Sequence, residues 1–186
     1  MTATPDRPRH FTCRNGEKAP LPFPRAEYEA RLARLRGIMA RRELDIVLLT
    51  SMHNIAYYTG FLYCSFGRPY AAVVTAEECT TVSANIDGGQ PWRRSACANL
   101  IYTDWQRDNY WRAVASLTGE ARRIGIEGDH MTLSARDAMS RHLPRHTAID
   151  IAPDTMAVRM VKSPAEIALI REGARIADLG GEAIRE

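Results

Sequence analysis

The sequence predicts an α/β fold built on a mixed β-sheet of about five or six strands flanked by helices. Three observations carry that expectation. Apolar residues recur at helical spacing from Tyr28 to Met39, a short β-rich run follows at Ile46–Leu49, and the two kinds of segment then alternate along the chain. The run Ile46-Val47-Leu48-Leu49 shows no polar alternation, which fits a strand buried on both sides, as in the interior of a mostly parallel sheet.

The elements follow in order. Residues 1–24 hold Pro5, Pro8, Pro20, Pro22 and Pro24 among polar residues and read as an irregular arm. Pro24 sits where a first helical turn begins, and Tyr28, Leu32, Leu35 and Met39 then line one face of a helix. Pro69–Thr75 and Cys79–Ala84 are strands of a hairpin closed by Ala76-Glu77-Glu78. Asn99–Thr103 is a further strand, and Asp108–Leu117 a helix with Tyr110, Val114 and Leu117 on one face. Arg123–Glu127 is a strand, Ser134–Leu143 a helix stopped by Pro144, and Ala148–Ile151 a last strand. Ser163-Pro164-Ala165-Glu166 is a capping box with Pro at the first helical position. The helix it opens carries Ile167, Ile170, Ala174 and Ala177 on one face, and the chain stops at Glu186 before that face has a partner. That pattern reads as the front of a longer protein.

Composition narrows the function. Basic residues number 25 against 22 acidic ones, and Arg31, Arg34, Arg36, Arg41 and Arg42 are interleaved with Glu27, Glu29 and Glu43. That is a solvated helix face rather than a nucleic-acid stripe, so no nucleic-acid partner is expected. No apolar run approaches the ~20 residues of a membrane helix, and the start has no hydrophobic leader, so no membrane partner and a cytoplasmic location are expected. Cys13, Cys64, Cys79 and Cys97 form no C-x-x-C pair and read as free thiols.

Familiar catalytic signatures are absent from this sequence, with no H-E-x-x-H, G-x-S-x-G, P-loop or G-x-G-x-x-G. His142 and His146 have the spacing of a helical metal pair, but Pro144 between them breaks the helix that would align them. Asp87-Gly88-Gly89 reads as a plain turn. The unusual stretch holds Tyr57, Tyr58, Phe61, Tyr63, Phe66 and Tyr70, with Arg68 as the only charge among them. A guanidinium fork suits a carboxylate, aromatic faces suit planar cations, and Phe66-Gly67-Arg68-Pro69 is a loop by composition. Two readings stand side by side here: a ligand contact, or a core-capping aromatic cluster with Arg68 paired to a surface acid.

Long contiguous strings then settle on a family. Ser51-Met52-His53-Asn54-Ile55, Phe61-Leu62-Tyr63-Cys64-Ser65-Phe66-Gly67-Arg68-Pro69-Tyr70 and Ser83-Ala84-Asn85-Ile86-Asp87-Gly88-Gly89-Gln90-Pro91-Trp92-Arg93-Arg94 resemble the creatinases (creatine amidinohydrolases). Tyr102-Thr103-Asp104-Trp105-Gln106-Arg107-Asp108-Asn109-Tyr110 and Gly173-Ala174-Arg175-Ile176-Ala177-Asp178 do the same. The resemblance runs from about Arg14 to the end and favours creatinases over their prolidase and aminopeptidase P relatives.

It implies a homodimeric hydrolase that splits creatine, or a similar small guanidino acid, into sarcosine and urea without a metal or other cofactor. Its acid–base histidine and guanidinium-holding glutamates would belong to a following catalytic domain of the pita-bread fold. Residues 1–24 would be an arm, 25–161 the non-catalytic N-terminal α/β domain, and 162–186 the linker and first helix of the catalytic domain. The chain would then hold no catalytic and no metal-binding residue. By position in the Phe-Gly-Arg string, Phe66 and Arg68 correspond to substrate contacts in the partner subunit's pocket; nothing comparable marks His53, Trp92 or Trp105. The alternatives are the N-terminal domain of a prolidase or Xaa-Pro peptidase-like enzyme, and a stand-alone small-ligand-binding or assembly module.

Overall fold

Alternating helices and buried runs assemble into a mixed sheet covered on both faces. The computed structural model describes residues 8–63, 67–105 and 107–185. In it the chain runs β1 (His10–Thr12), α1 (Arg25–Arg41), β2 (Ile46–Leu49), α2 (Met52–Thr59), β3 (Ala71–Val74), β4 (Cys79–Ala84), a 3₁₀ turn (Asn85–Asp87), α3 (Gln90–Arg93) and β5 (Ala98–Tyr102). It continues with α4 (Asn109–Thr118), β6 (Arg123–Ile126), α5 (Leu133–His142), β7 (Thr147–Asp150), α6 (Ala152–Met160) and α7 (Pro164–Arg185).

The strands lie in the order β1-β5-β4-β3-β2-β6-β7. β2 joins the two parts of the sheet: it pairs antiparallel with β3, Val47 opposite Val74, and parallel with β6, Val47 opposite Gly125. The pairs β3–β4 and β1–β5 are antiparallel, and β4–β5 and β6–β7 are parallel. Every residue of β2, β3 and β4 is buried, which requires cover on both faces. One group of helices is α4, packed on β1, β3, β4 and β5 with α5 beside it; the other is α1 with α2 and α6.

The sheet holds seven strands rather than five or six because the arm supplies one. β1 is three residues long and mostly exposed, so it carries no apolar alternation to read. Its place is fixed by pairing with β5, His10 opposite Tyr102. Three helices are likewise new: α2, α3 and α6 are eight, four and nine residues, too short to display a helical period. Among the described cysteines, Cys13, Cys79 and Cys97 are free thiols; Cys64 lies outside the described residues. No helix among the described residues is long and apolar enough to cross a membrane.

Local chemistry explains the joints. In the β3–β4 turn the Thr75 hydroxyl accepts from the Glu77 and Glu78 amides, at 3.3 and 2.9 Å. A Cβ on Gly125 would lie 2.8 Å from Leu44 Cδ1, 3.1 Å from Val47 Cγ2 and 3.2 Å from Ile151 Cδ1, so these side chains pack closely over the space the glycine leaves in β6. The capping box forms as read: the Ser163 amide donates to Glu166 at 2.8 Å and the Glu166 amide to the Ser163 hydroxyl at 3.2 Å. α7 buries none of its residues, and Ile167, Leu169, Ile170, Ile176, Leu179 and Ile184 are all exposed.

Two outcomes follow from these joints. Asp45 Oδ2 accepts from the Arg123 and Arg122 amides, at 2.8 and 2.7 Å, and those two bonds hold its carboxyl below its ordinary value of 3.8. A depressed carboxyl stabilises the fold fully above the ordinary value and loses that contribution as pH falls through the lowered one. Asp45→Asn should therefore cost up to about 1 kcal/mol at neutral pH, since the site is exposed and screened. Urea unfolding should show the gap closing in acid, and a pH-independent gap would contradict the assignment. Separately, hydrogen exchange of the 186-residue chain should be faster over residues 170–185 than in β2 and β3, because a helix without packing frays. Equal protection in a monomer would contradict it.

Candidate functional site

The segment that carries Arg68 is pinned by tyrosines from three other places. Gly67 adopts a left-handed φ of 65°, which turns the chain into Arg68. Tyr102, at the end of β5, donates its hydroxyl to the Pro69 carbonyl at 3.1 Å, and Tyr110, in α4, donates to the Tyr70 carbonyl at 3.4 Å. Tyr70 in turn donates to the Asp87 carboxylate and stacks on Tyr63, ring centroids 4.2 Å apart. Tyr63 donates to the Thr50 carbonyl at 3.0 Å. Burial keeps these phenols protonated, raising Tyr63 to about 12 and pushing Tyr102 and Tyr110 up as well.

Beside this segment lies a cavity of about 230 Å³ walled by Tyr63, Tyr70, Tyr110 and Trp111, with Arg68 and His130 as its ionisable groups. Arg68 keeps 46% of its side chain exposed, and its Nη1 sits 2.9 Å from Asp104 Oδ1. A larger groove of about 510 Å³ runs beside α1, lined by Arg14, Arg25 and Arg36 but equally by Glu29, Glu77 and Glu78. Its charges alternate and do not converge on a point, so the smaller, aromatic-walled cavity is the better candidate.

Underneath lies a buried acid. Glu127, 1% exposed, follows β6 and accepts from the Thr50 amide at 2.5 Å, the Ser51 amide at 2.8 Å, the Ser51 hydroxyl and Asn54 Nδ2 at 2.5 Å. Asn54 also accepts from Arg159 Nη1 at 3.2 Å, so the network reaches α6. These donors lie at the start of α2, whose free amides suit a negative charge. Thr50 contacts His130 Nδ1 at 3.2 Å, which joins this network to the cavity wall. His53 keeps much of its surface exposed on α2, and partial desolvation of its ring, with the Arg159 charge, lowers its pKa.

A second buried charge, Arg31, joins α1 to α7. Its guanidinium, 1% exposed, lies over Phe23 and Tyr57 and donates to Glu27 at 3.1 Å and to the Tyr57 carbonyl at 2.9 Å. Its Nη2 makes a charge contact with Glu166 of the capping box at 3.5 Å.

Of the residues singled out from sequence, Arg68 is exposed on a pinned segment at a cavity, and Phe66 lies outside the described residues. The packing matches the reading of the aromatic stretch as a cluster with Arg68 paired to an acid. Phe61, Tyr63 and Tyr70 are core, and Arg68 does pair with an acid, yet its guanidinium stays reachable. Asp87 ends a 3₁₀ turn and accepts from the Tyr70 hydroxyl. His142 ends α5 while His146 lies beyond Pro144 and contacts the Leu143 carbonyl. Among the described residues no three His, Cys, Asp or Glu side chains are grouped to hold a metal. Glu127, Asn54 and Asp104 were not evident as site residues; the only signals were an acid closing an apolar run and Ser51 three residues before Asn54.

Comparisons with known proteins agree with one another. The family model described as Creatinase/Prolidase N-terminal domain matches residues 31–161. A creatinase of Bacillus sp. (strain B-0618) is 49% identical over 175 residues, covering 92% of this chain and 43% of its own length. The solved Xaa-Pro dipeptidase from Bacillus anthracis superposes with a TM-score of 0.71 at 21% identity, over 84% of this chain and 42% of that one. The prolidase from Pyrococcus horikoshii OT3 gives 0.69 at 18% identity, over 84% and 43%. The chain thus spans less than half the length of these relatives.

Glu127→Gln tests the buried acid, since the amide keeps the volume but turns donors toward donors. We expect a loss of ~2–4 kcal/mol in urea unfolding. A loss under about 0.5 kcal/mol would show that the carboxylate holds nothing together.

Proposed function

Because the chain belongs to the creatinase/prolidase N-terminal domain family, we propose that it is the non-catalytic N-terminal domain of a creatine amidinohydrolase, an enzyme that yields sarcosine and urea. The observation that carries this is the 49% identity over 175 residues to a creatinase. The prolidase-like alternative rests on structures 18–21% identical, which speak to the fold alone.

On this reading the domain builds one wall of a substrate pocket in the partner subunit of a homodimer, and acid–base chemistry is left to a following catalytic domain. Arg68 suits the carboxylate of a small guanidino acid: its guanidinium is a planar fork, exposed, and borne on a segment that tyrosines hold still. Phe66 would flank the guanidinium end. Residues 162–185 fit a linker and first helix of that catalytic domain, because Ile167, Ile170, Ala174 and Ala177 form an exposed apolar face. Arg31 supports the same arrangement by tying Glu166, at the helix start, to α1.

Urea release from creatine is the direct test, with this chain assayed alone and mixed with a separately expressed catalytic domain. Activity only in the mixture is expected, and release by the chain alone would overturn the non-catalytic assignment. In the full-length enzyme Arg68→Ala should raise KM about 100-fold, since a charged hydrogen bond contributes ~1.5–3 kcal/mol. An unchanged KM would remove Arg68 from the carboxylate role.

A further inference from the structure

We propose that Asp104 is the positioning residue that presents Arg68 to the substrate carboxylate, an inference that rests on the amidinohydrolase reading above. An arginine on a loop ordinarily spends much of its time in other rotamers, and fixing it costs binding energy. Here both ends of the Arg68–Asp104 pair are held. The backbone immediately after Arg68 is fixed by Tyr102 and Tyr110 through the Pro69 and Tyr70 carbonyls.

Asp104 is anchored just as firmly. Thr103 before it donates its hydroxyl to the Pro8 and Arg9 carbonyls, at 2.8 and 3.0 Å, and Trp105 after it donates Nε1 to Pro8 at 3.0 Å. Asn109, at the start of α4, donates to the Thr103 carbonyl at 3.0 Å. The carboxylate therefore has a fixed place from which to hold the guanidinium.

The ion pair runs through Nη1 of the guanidinium. Nη1 of Arg68 meets Asp104 Oδ1 at 2.9 Å, and the edge formed by Nε and Nη2 is the one that receives a carboxylate side-on with two parallel bonds. An exposed ion pair is weak, so Asp104 competes little with an incoming carboxylate while still narrowing the directions Arg68 can take. The net effect is tighter substrate binding with the chemical step untouched. The carboxylate's field reaches the same neighbourhood, since it adds to the burial that raises the Tyr102 phenol.

The test is steady-state urea release from creatine by the full-length enzyme carrying Arg68→Ala, Asp104→Asn, Asp104→Glu, or the first two together. Asp104→Asn should raise KM about three- to tenfold with kcat within about twofold, and Asp104→Glu should recover part of the loss. The double variant should be no worse than Arg68→Ala alone, because Asp104 acts only through Arg68. A KM in Asp104→Asn that is unchanged or lowered, or an additive double variant, overturns the positioning role while a raised KM in Arg68→Ala leaves the carboxylate reading standing. An unchanged KM in Arg68→Ala brings down both. Melting temperatures accompany each variant, and Asp104→Ser, read in the same way, replaces Asp104→Asn if the latter misfolds.

Discussion

The buried carboxylate of Glu127 is the contact on which the arrangement of the site depends. A charge with 1% exposure is costly to desolvate, by several kcal/mol, and is tolerated only when its lone pairs are filled. Two amides, a hydroxyl and a side-chain amide from Thr50, Ser51 and Asn54 fill them. The acid thereby welds the end of β6 to the turn between β2 and α2, where β2 and β6 are adjacent parallel strands. Where α2 starts decides where it ends, and so where Phe61, Tyr63 and the segment after Gly67 enter the core. Thr50 takes part on both levels, since its carbonyl accepts from Tyr63 and its hydroxyl meets His130.

From that weld the structure builds outward through tyrosines. Tyr63, Tyr70, Tyr102 and Tyr110 each bury a ring, and each spends its hydroxyl on a carbonyl or carboxylate of another segment. Core packing and loop positioning are therefore the same set of contacts. This explains why an arginine on a turn can be both half-exposed and well placed: what holds it is below it, in the apolar layer, and beside it, at Asp104. The second buried charge works differently. Arg31 is held by aromatic faces and three oxygen partners, and it links the sheet-bearing body to the first turn of α7.

Much of the fold was legible in the order of residues. Wherever one element buries a whole face by itself, as in α1, β2, the β3–β4 hairpin and α4, its period or its unbroken apolar run gave its place to within a residue or two. The capping box at Ser163 and Glu166 is chemistry between near neighbours and forms as read. β1, α2, α3 and α6 were not legible, because each repeats its period too few times to reveal it and is held by partners far away in sequence.

The candidate site divides along the same line. The sequence by itself determined the mixed α/β fold, the resemblance that singles out Phe66 and Arg68, and the concentration of aromatic residues around them. Only the tertiary structure decided that Glu127 meets Ser51 across 76 positions, that Tyr102 reaches Pro69, and that Asp104 stands beside Arg68. Short-range patterns record which faces are apolar and which turns are capped, since those preferences act between neighbours along the chain. A buried carboxylate or a single ion pair leaves no such periodic trace; its partners are chosen by how the sheet brings distant strand ends together.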